Sequence, residues 1–320
     1  MKQKFFINHQ YSSDAFNERS FVNTDQSHLK LEQNCFGIWG SPQGGAKRML
    51  RENKEIYQSS KDFDILESPQ GGVGRMLREN KEIYQSSKDF DIDKKVQFLI
   101  LHCTKQDFAT SLHLLQDKVS AHYLISESAE IFQLVDESKR AWHAGVSFWK
   151  GQNDLNSASI GIEIVNLDGN RNHYPDEQIE ALIFLCKKII AKYKITPECV
   201  LAHSDIAPLR KDDPGILFPW NKLYQNGIGL MVNLADILEL KKTIKLPTAL
   251  ELQQNLAKYG YQIDLTGEFD QQTIGVLNSF RRHFCPNFLE QKIEKTSYAI
   301  LLKLIEMRSY AKSHFGERGL

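Results

Sequence analysis

Val200-Leu201-Ala202-His203-Ser204-Asp205-Ile206-Ala207-Pro208-Leu209-Arg210-Lys211-Asp212-Asp213-Pro214-Gly215 decides how the rest of the chain is read. Val200–Ala202 is a short apolar run, read as a strand that delivers His203 at its end. A nitrogen ligand, a cation and carboxylates then follow in one loop punctuated by Pro208, Pro214 and Gly215. A proline fixes its own φ and restricts the residue before it, so Asp213 is expected to be extended and rigid. Such a loop aims polar groups at one point instead of spreading them along a helix. The point expected here is a zinc ion.

A strand that ends on this loop needs a sheet beside it. Val96–Leu101 (VQFLIL) is a continuous apolar run, the pattern of a buried central strand. His102 follows it, at the end where open α/β sheets bind ligands. Ala121–Ser126 and Glu130–Val135 also read as strands. Ser159–Asn166 alternates, with Ile160, Ile162 and Ile164 on one face and Gly161, Glu163 and Val165 on the other. A glutamate on that second face suits a polar cleft better than a core. Leu112–Lys118 reads as a helix. Tyr174-Pro175-Asp176-Glu177 opens another, with proline near the first position and acids in the first turn, running to Lys194. Strand, helix and strand around one sheet give an α/β domain, expected over residues 93–240.

Catalytic zinc takes three N/O protein ligands and leaves a position open for water, which His102, His203 and Asp213 would satisfy. No cysteine lies near enough for a structural four-ligand site. Lys211 is either a solvated cation or a charge that stabilises an oxyanion. Glu163 is either a salt-bridged strand carboxylate or the group that orients or deprotonates the attacking water. His122 and His143 are further polar candidates. Trp142 and Trp149 either stack on sugar faces or fill the core. The constellation implies metal-assisted hydrolysis of an amide or ester and does not name the substrate.

Composition bounds the rest. The chain has 320 residues, enough for about two domains. Lys plus Arg (40) equals Asp plus Glu (40), so no polyanion-binding surface and no nucleic-acid partner are expected. Five scattered cysteines give no disulfide framework, and Cys186 in its apolar helical run is expected to be a buried small hydrophobe. The N-terminus lacks the apolar core of a signal peptide, and no run approaches the ~18 apolar residues of a membrane span. The cytoplasm is the default expectation, with the periplasm, cell envelope or export by a non-standard route as the alternative.

Residues 1–40 are expected to form an N-terminal segment of the catalytic domain, as an arm or short strand. Ser41–Ile65 recurs as Ser68–Ile92 with changes only at Ala46/Val73 and Lys47/Gly74. Two near-identical polar copies read as a tandem duplication forming a surface insertion over 41–92. After Trp220 come a Gly-containing loop, a short helix near Asn233–Leu240 and a basic linker, Lys241–Lys245. Residues 246–312 then read as a small three-helix unit, with helices over Leu250–Tyr259, Thr273–Phe284 and Lys295–Lys312.

The loop, together with Val119–Ile125 (VSAHYLI), Ala141–Ser147 (AWHAGVS) and Ser159–Glu163 (SIGIE), resembles the amidase-2 family. These are zinc-dependent N-acetylmuramoyl-L-alanine amidases, related in fold to T7 lysozyme and the peptidoglycan recognition proteins. The resemblance implies a central mixed β-sheet flanked by helices, and one Zn2+ per chain held by His102, His203 and Asp213. It also implies that Glu163 and Lys211 are catalytic and that His122, Trp142 and His143 bind substrate. The implied reaction is cleavage of the amide between N-acetylmuramic acid, or its 1,6-anhydro form, and L-alanine of the stem peptide. The implied partner is peptidoglycan or muropeptides. A non-catalytic peptidoglycan-recognition protein on the same fold is the alternative. The 246–312 unit loosely resembles a peptidoglycan-binding module through Leu252-Gln253, Tyr259-Gly260-Tyr261 and Gly267-Glu268-Phe269-Asp270.

Overall fold

In this computed structural model, residues 95–315 are described; the 1–40 segment and the 41–92 insertion lie outside them. The apolar run of the sequence becomes strand β1, Phe98–Cys103, buried along its whole length. Helix α1 (Phe108–Asp117) follows. It begins earlier than the apolar spacing predicts, because the Asp107 side chain caps it by accepting from Thr110 N at 2.9 Å. Strands β2 (Tyr123–Ile125) and β3 (Ile131–Gln133) come next. A two-stranded hairpin, β4 (Phe148–Trp149) and β5 (Gln152–Asn153), precedes β6 (Ser159–Ile164). Helix α2 (Asp176–Tyr193) leads to β7 (Val200–Ala202) and the short helix α3 (His203–Ile206).

The main sheet has the order β3-β2-β6-β1-β7. β1 runs parallel to both β6 and β7, β2 runs parallel to β6, and β3 alone is antiparallel. This is the mixed sheet expected. Helix α2 packs on it and is tied down by Gln178, whose amide donates to the carbonyls of Ile125, Ser126 and Val165. These bonds offset the burial of the amide nitrogen, while Oε1 is buried without a hydrogen-bond partner. Cys186 of α2 is fully buried, as its apolar surroundings predict.

Helices α4 (Trp220–Gln225) and α5 (Leu234–Thr243) lead to α6 (Ala249–Tyr259), α7 (Gln271–Phe284) and α8 (Lys295–Phe315). Part of the stretch read as a basic linker is helical, since α5 continues through Lys241 and Lys242 to Thr243. The last three helices cover the predicted spans and run slightly further, starting at Ala249 and Gln271 and ending at Phe315. Thr248 and Glu251 cap α6 reciprocally, and Asp270 caps α7 by accepting from Thr273 N.

These helices pack on the sheet-bearing part through buried polar groups. The Tyr261 hydroxyl donates to Asp205 Oδ1 at 2.6 Å, and His283 Nδ1 lies 2.7 Å from Asp205 Oδ2. Ala202 N donates to the same carboxylate at 2.8 Å. The His283 ring stacks on Trp220 at 3.7 Å between centroids. Trp149 is buried in this seam, edge-on to Tyr259 and Tyr261. Of its two sequence readings, core packing is the one seen. Among the described residues, no helix is long and apolar enough to cross a membrane.

Candidate active site

Three parallel strands deliver the site at their C-terminal ends. His102 is the fifth residue of β1 and pairs in register with Glu163 of β6. His203 follows β7 directly and opens α3. Asp213 returns to it because Ser204 N donates to the Asp213 carbonyl at 3.0 Å, closing the loop. Gly215 lets the chain leave the site. Its φ is +97°, and a β-carbon there would sit 2.3 Å from the backbone of Gly169.

His102 Nδ1, His203 Nδ1 and Asp213 Oδ2 converge. Their separations are 2.9 Å between the two nitrogens, 3.1 Å from His203 to Asp213 and 3.5 Å from His102 to Asp213. Among the described residues they are the one group of His, Cys, Asp or Glu side chains able to share a metal ion. Tetrahedral zinc at its usual bond lengths needs donors about 3.3 Å apart, and the three edges bracket that value. Two imidazoles and one carboxylate are also the donor set of a catalytic rather than a structural zinc site.

The electrostatics suit a metal as well. Burial and the neighbouring His203 lower His102 to about 4, so its ring is neutral and has a lone pair to offer. Burial alone would raise Asp213, but His203 and His102 beside it bring it well below the usual carboxylate range. Glu163 behaves oppositely: burial, and then the charge of Asp213, raise it to about 8, with Lys211 opposing. Its Oε1 lies 3.8 Å from His102 Nδ1, and its Oε2 is buried without a hydrogen-bond partner. A high-pKa carboxylate with a free oxygen beside a ligand cluster is placed for proton transfer. Lys211 is half-buried and acts electrostatically on both His102 and Glu163.

The other predicted residues occupy different surroundings. His122 is fully buried and uses both ring nitrogens: Nε2 pairs with the Lys139 carbonyl and Nδ1 accepts from Gly161 N, each at 3.0 Å. His143 is 7% exposed and lies behind His102, its Nδ1 3.0 Å from His102 Nε2. Trp142 is 39% exposed at the surface, its ring under the Arg140 guanidinium at 3.5 Å. Ser159 and Ala144 were missed by the sequence reading. Ser159 shares the cleft face of β6 with Gly161 and Glu163, a signal the period-two spacing carries. Ala144 acts through its carbonyl, which no side-chain motif reveals.

A family model for N-acetylmuramoyl-L-alanine amidase matches residues 92–216. The N-acetylmuramoyl-L-alanine amidase AmiD of Escherichia coli (strain K12) is 39% identical over 233 residues, covering 66% of this chain and 83% of that protein. The solved complex of Escherichia coli AmiD with anhydro-N-acetylmuramic acid-L-Ala-D-gamma-Glu-L-Lys has a TM-score of 0.61 at 38% identity, covering 67% of this chain and 90% of that one. The structure of AMPDH3 from Pseudomonas aeruginosa with an anhydromuramic pentapeptide gives 0.63 at 37% identity, covering 73% and 99%. On this sequence and fold, the chain belongs to the amidase-2 family of N-acetylmuramoyl-L-alanine amidases.

Proposed function

We propose that the chain hydrolyses the amide joining N-acetylmuramic acid, or its 1,6-anhydro form, to L-alanine of a peptidoglycan stem peptide. The observation that supports this most is the convergence of His102 Nδ1, His203 Nδ1 and Asp213 Oδ2 beside the unpartnered Oε2 of Glu163. Related proteins bound to anhydromuramyl peptides supply the substrate class.

In this reading His102, His203 and Asp213 hold one Zn2+. Zinc, when bound, supplies Lewis acidity toward the scissile carbonyl and the attacking water. Glu163 accepts the proton as water adds to the carbonyl carbon. It returns that proton to the departing nitrogen as the C–N bond breaks, leaving a lactyl carboxylate and a free L-alanine amine. The Lys211 ammonium offsets the negative charge that develops on the carbonyl oxygen. Its charge also opposes the upward shift of Glu163 and so favours the ionised form that accepts the proton. Trp142 at the surface offers a flat apolar edge to substrate, whereas His122 and His143 act from inside the fold.

The decisive experiment digests intact sacculi and 1,6-anhydro muropeptides in parallel, with mass spectrometry of the products. Free stem peptides beginning at L-alanine are expected, and they should disappear on chelation or with His203→Ala. Zinc binding without release of stem peptide from either substrate would leave a recognition protein and overturn the enzymatic reading. Cleavage of sacculi would indicate action on the wall; cleavage of the anhydro form alone would indicate recycling of released fragments.

A further inference from the structure

A histidine binds a metal through one nitrogen only when the proton sits on the other. Which nitrogen carries the proton is therefore a property the fold has to fix. The contacts behind the ligands allow each proton to be followed from a group whose role is unambiguous.

The Leu155 carbonyl can only accept. Ser159 Oγ lies 2.5 Å from it and therefore donates its single proton there. The contact between Ser159 Oγ and His143 Nε2, at 3.3 Å, must then be donated by His143. A neutral His143 protonated at Nε2 has a bare Nδ1. His102 Nε2, 3.0 Å away, donates to it, and His102 Nδ1 is left with its lone pair directed at His203 and Asp213. The second ligand has its acceptor on the next residue. His203 faces an obligate acceptor at each nitrogen, the Ala144 carbonyl 3.3 Å from Nε2 and Asp213 Oδ2 3.1 Å from Nδ1, so an ion that takes Nδ1 leaves the ring's proton on Nε2, where the Ala144 carbonyl accepts it. Arg210 Nη2 donates to the same carbonyl at 3.1 Å, and Ala144 N donates to the Asn156 side chain at 2.8 Å, which together hold the backbone on both sides of Ala144.

We propose that His143 and the Ala144 carbonyl are positioning groups that set the tautomers of the two histidine ligands. His143 acts as a relay from the Leu155 carbonyl through Ser159 to His102. The segment thus presets the His102 lone pair before any ion arrives, and holds an acceptor at His203 Nε2 for when an ion takes Nδ1. The relay is uncharged throughout and leaves Asp213 as the one anionic ligand. Gly161 belongs to the device, because a β-carbon there would lie 2.4 Å from the His143 ring.

This inference rests on the metal-site reading above, and the tests separate the two. The first uses the metal-free wild-type chain: long-range 1H–15N correlation spectra of the histidine rings at pH 7.5. His102 and His143 should each be protonated at Nε2 and bare at Nδ1. A bare Nε2 on His102 or His143 overturns the relay, whatever the chain does with zinc. The second test measures zinc affinity by competition with a chromophoric chelator. Losing the partner behind a ligand histidine typically costs about 10–100-fold in metal affinity. His143→Phe keeps the ring but loses the acceptor and should show that loss. His143→Asn places an amide oxygen near Nδ1 and should recover most of it. Equal affinity in wild type and His143→Phe overturns the proposal. Ser159→Ala is the milder second variant if His143→Phe does not fold. It should let His143 sample the Nδ1-protonated form, visible in the same spectra, and unchanged spectra count against the relay. A wild-type chain with the expected tautomers that binds no zinc would overturn the metal reading alone.

Discussion

Replacing Gly161 by alanine asks one strand position to give up the space it lends to His143. The alanine β-carbon would lie 2.4 Å from Cγ, 2.5 Å from Nδ1 and 2.6 Å from Cδ2 of that ring. Carbon atoms rest about 3.5–4.0 Å apart, so the ring must recede by roughly 1 Å. It has little room to do so, being 7% exposed and held through Nδ1 by His102 and through Nε2 by Ser159. Overpacking of this kind costs about 1–3 kcal/mol. At roughly 2–4 °C per kcal/mol for a body of this size, Tm should fall by about 2–12 °C. The same displacement stretches the 3.0 Å His102–His143 contact beyond hydrogen-bonding range. Zinc affinity should therefore drop about 10-fold or more. Urea unfolding of the metal-free protein, followed by circular dichroism, reads the first effect, and chelator competition reads the second. If Gly161→Ala unfolds at the wild-type urea midpoint and binds zinc as tightly, the enclosed ring slot is not as described and the reasoning fails.

Glu163→Gln should lower the rate of stem-peptide release by about 10²–10⁴-fold while zinc content stays stoichiometric, because the carboxylate stands beside the ligand triad and not within it; lost zinc in the purified variant would contradict this. Burial lowers His122 from 6.5 to about 4, so the unfolded chain binds the proton first as pH falls. The stability this ring supports is thus complete above about pH 6.5 and lost toward pH 4, amounting to about 2 kcal/mol between pH 7 and 5. His122→Asn should flatten the pH profile of urea unfolding by that amount, and parallel profiles would refute the assignment. Tyr261→Phe removes a donor from the buried Asp205 carboxylate and should cost about 1.5–3 kcal/mol. The loss should appear as one shared unfolding transition, whereas separate melting of α6–α8 would show that the seam does not couple the two parts.

The three converging side chains were legible because proline and strand-end signals act locally. His102, His203 and Asp213 each sit where an apolar run stops or a proline stiffens the chain, and no long-range information was needed to suspect them. Glu163 was legible through alternation, since a carboxylate sharing a face with Gly161 needed a reason to be there. Tertiary packing was harder to read. His122 and His143 look alike in sequence, each a lone histidine in a small-residue context. Only the folded sheet separates one that braces Gly161 from one that backs His102. Trp149 and Trp142 likewise differ by a hairpin, β4–β5, too short to leave a periodic signal. The end of α5 was misjudged because Lys241 and Lys242 read as a linker, yet lysines near a helix C-terminus favour the helix dipole.

Asp205 has a consequence for anyone wishing to transplant parts of this protein. It stands two residues after His203, and its carboxylate is met from outside the sheet by Tyr261 and His283. The C-terminal helices therefore cannot be exchanged as a cassette at the exposed stretch before Thr248. A graft that brings its own helices but lacks those two side chains leaves the buried Asp205 carboxylate with the Ala202 N–H and without the two side chains that now meet it. The exchangeable piece is larger than the helices, and must include Asp205 and the Trp220 face on which His283 stacks.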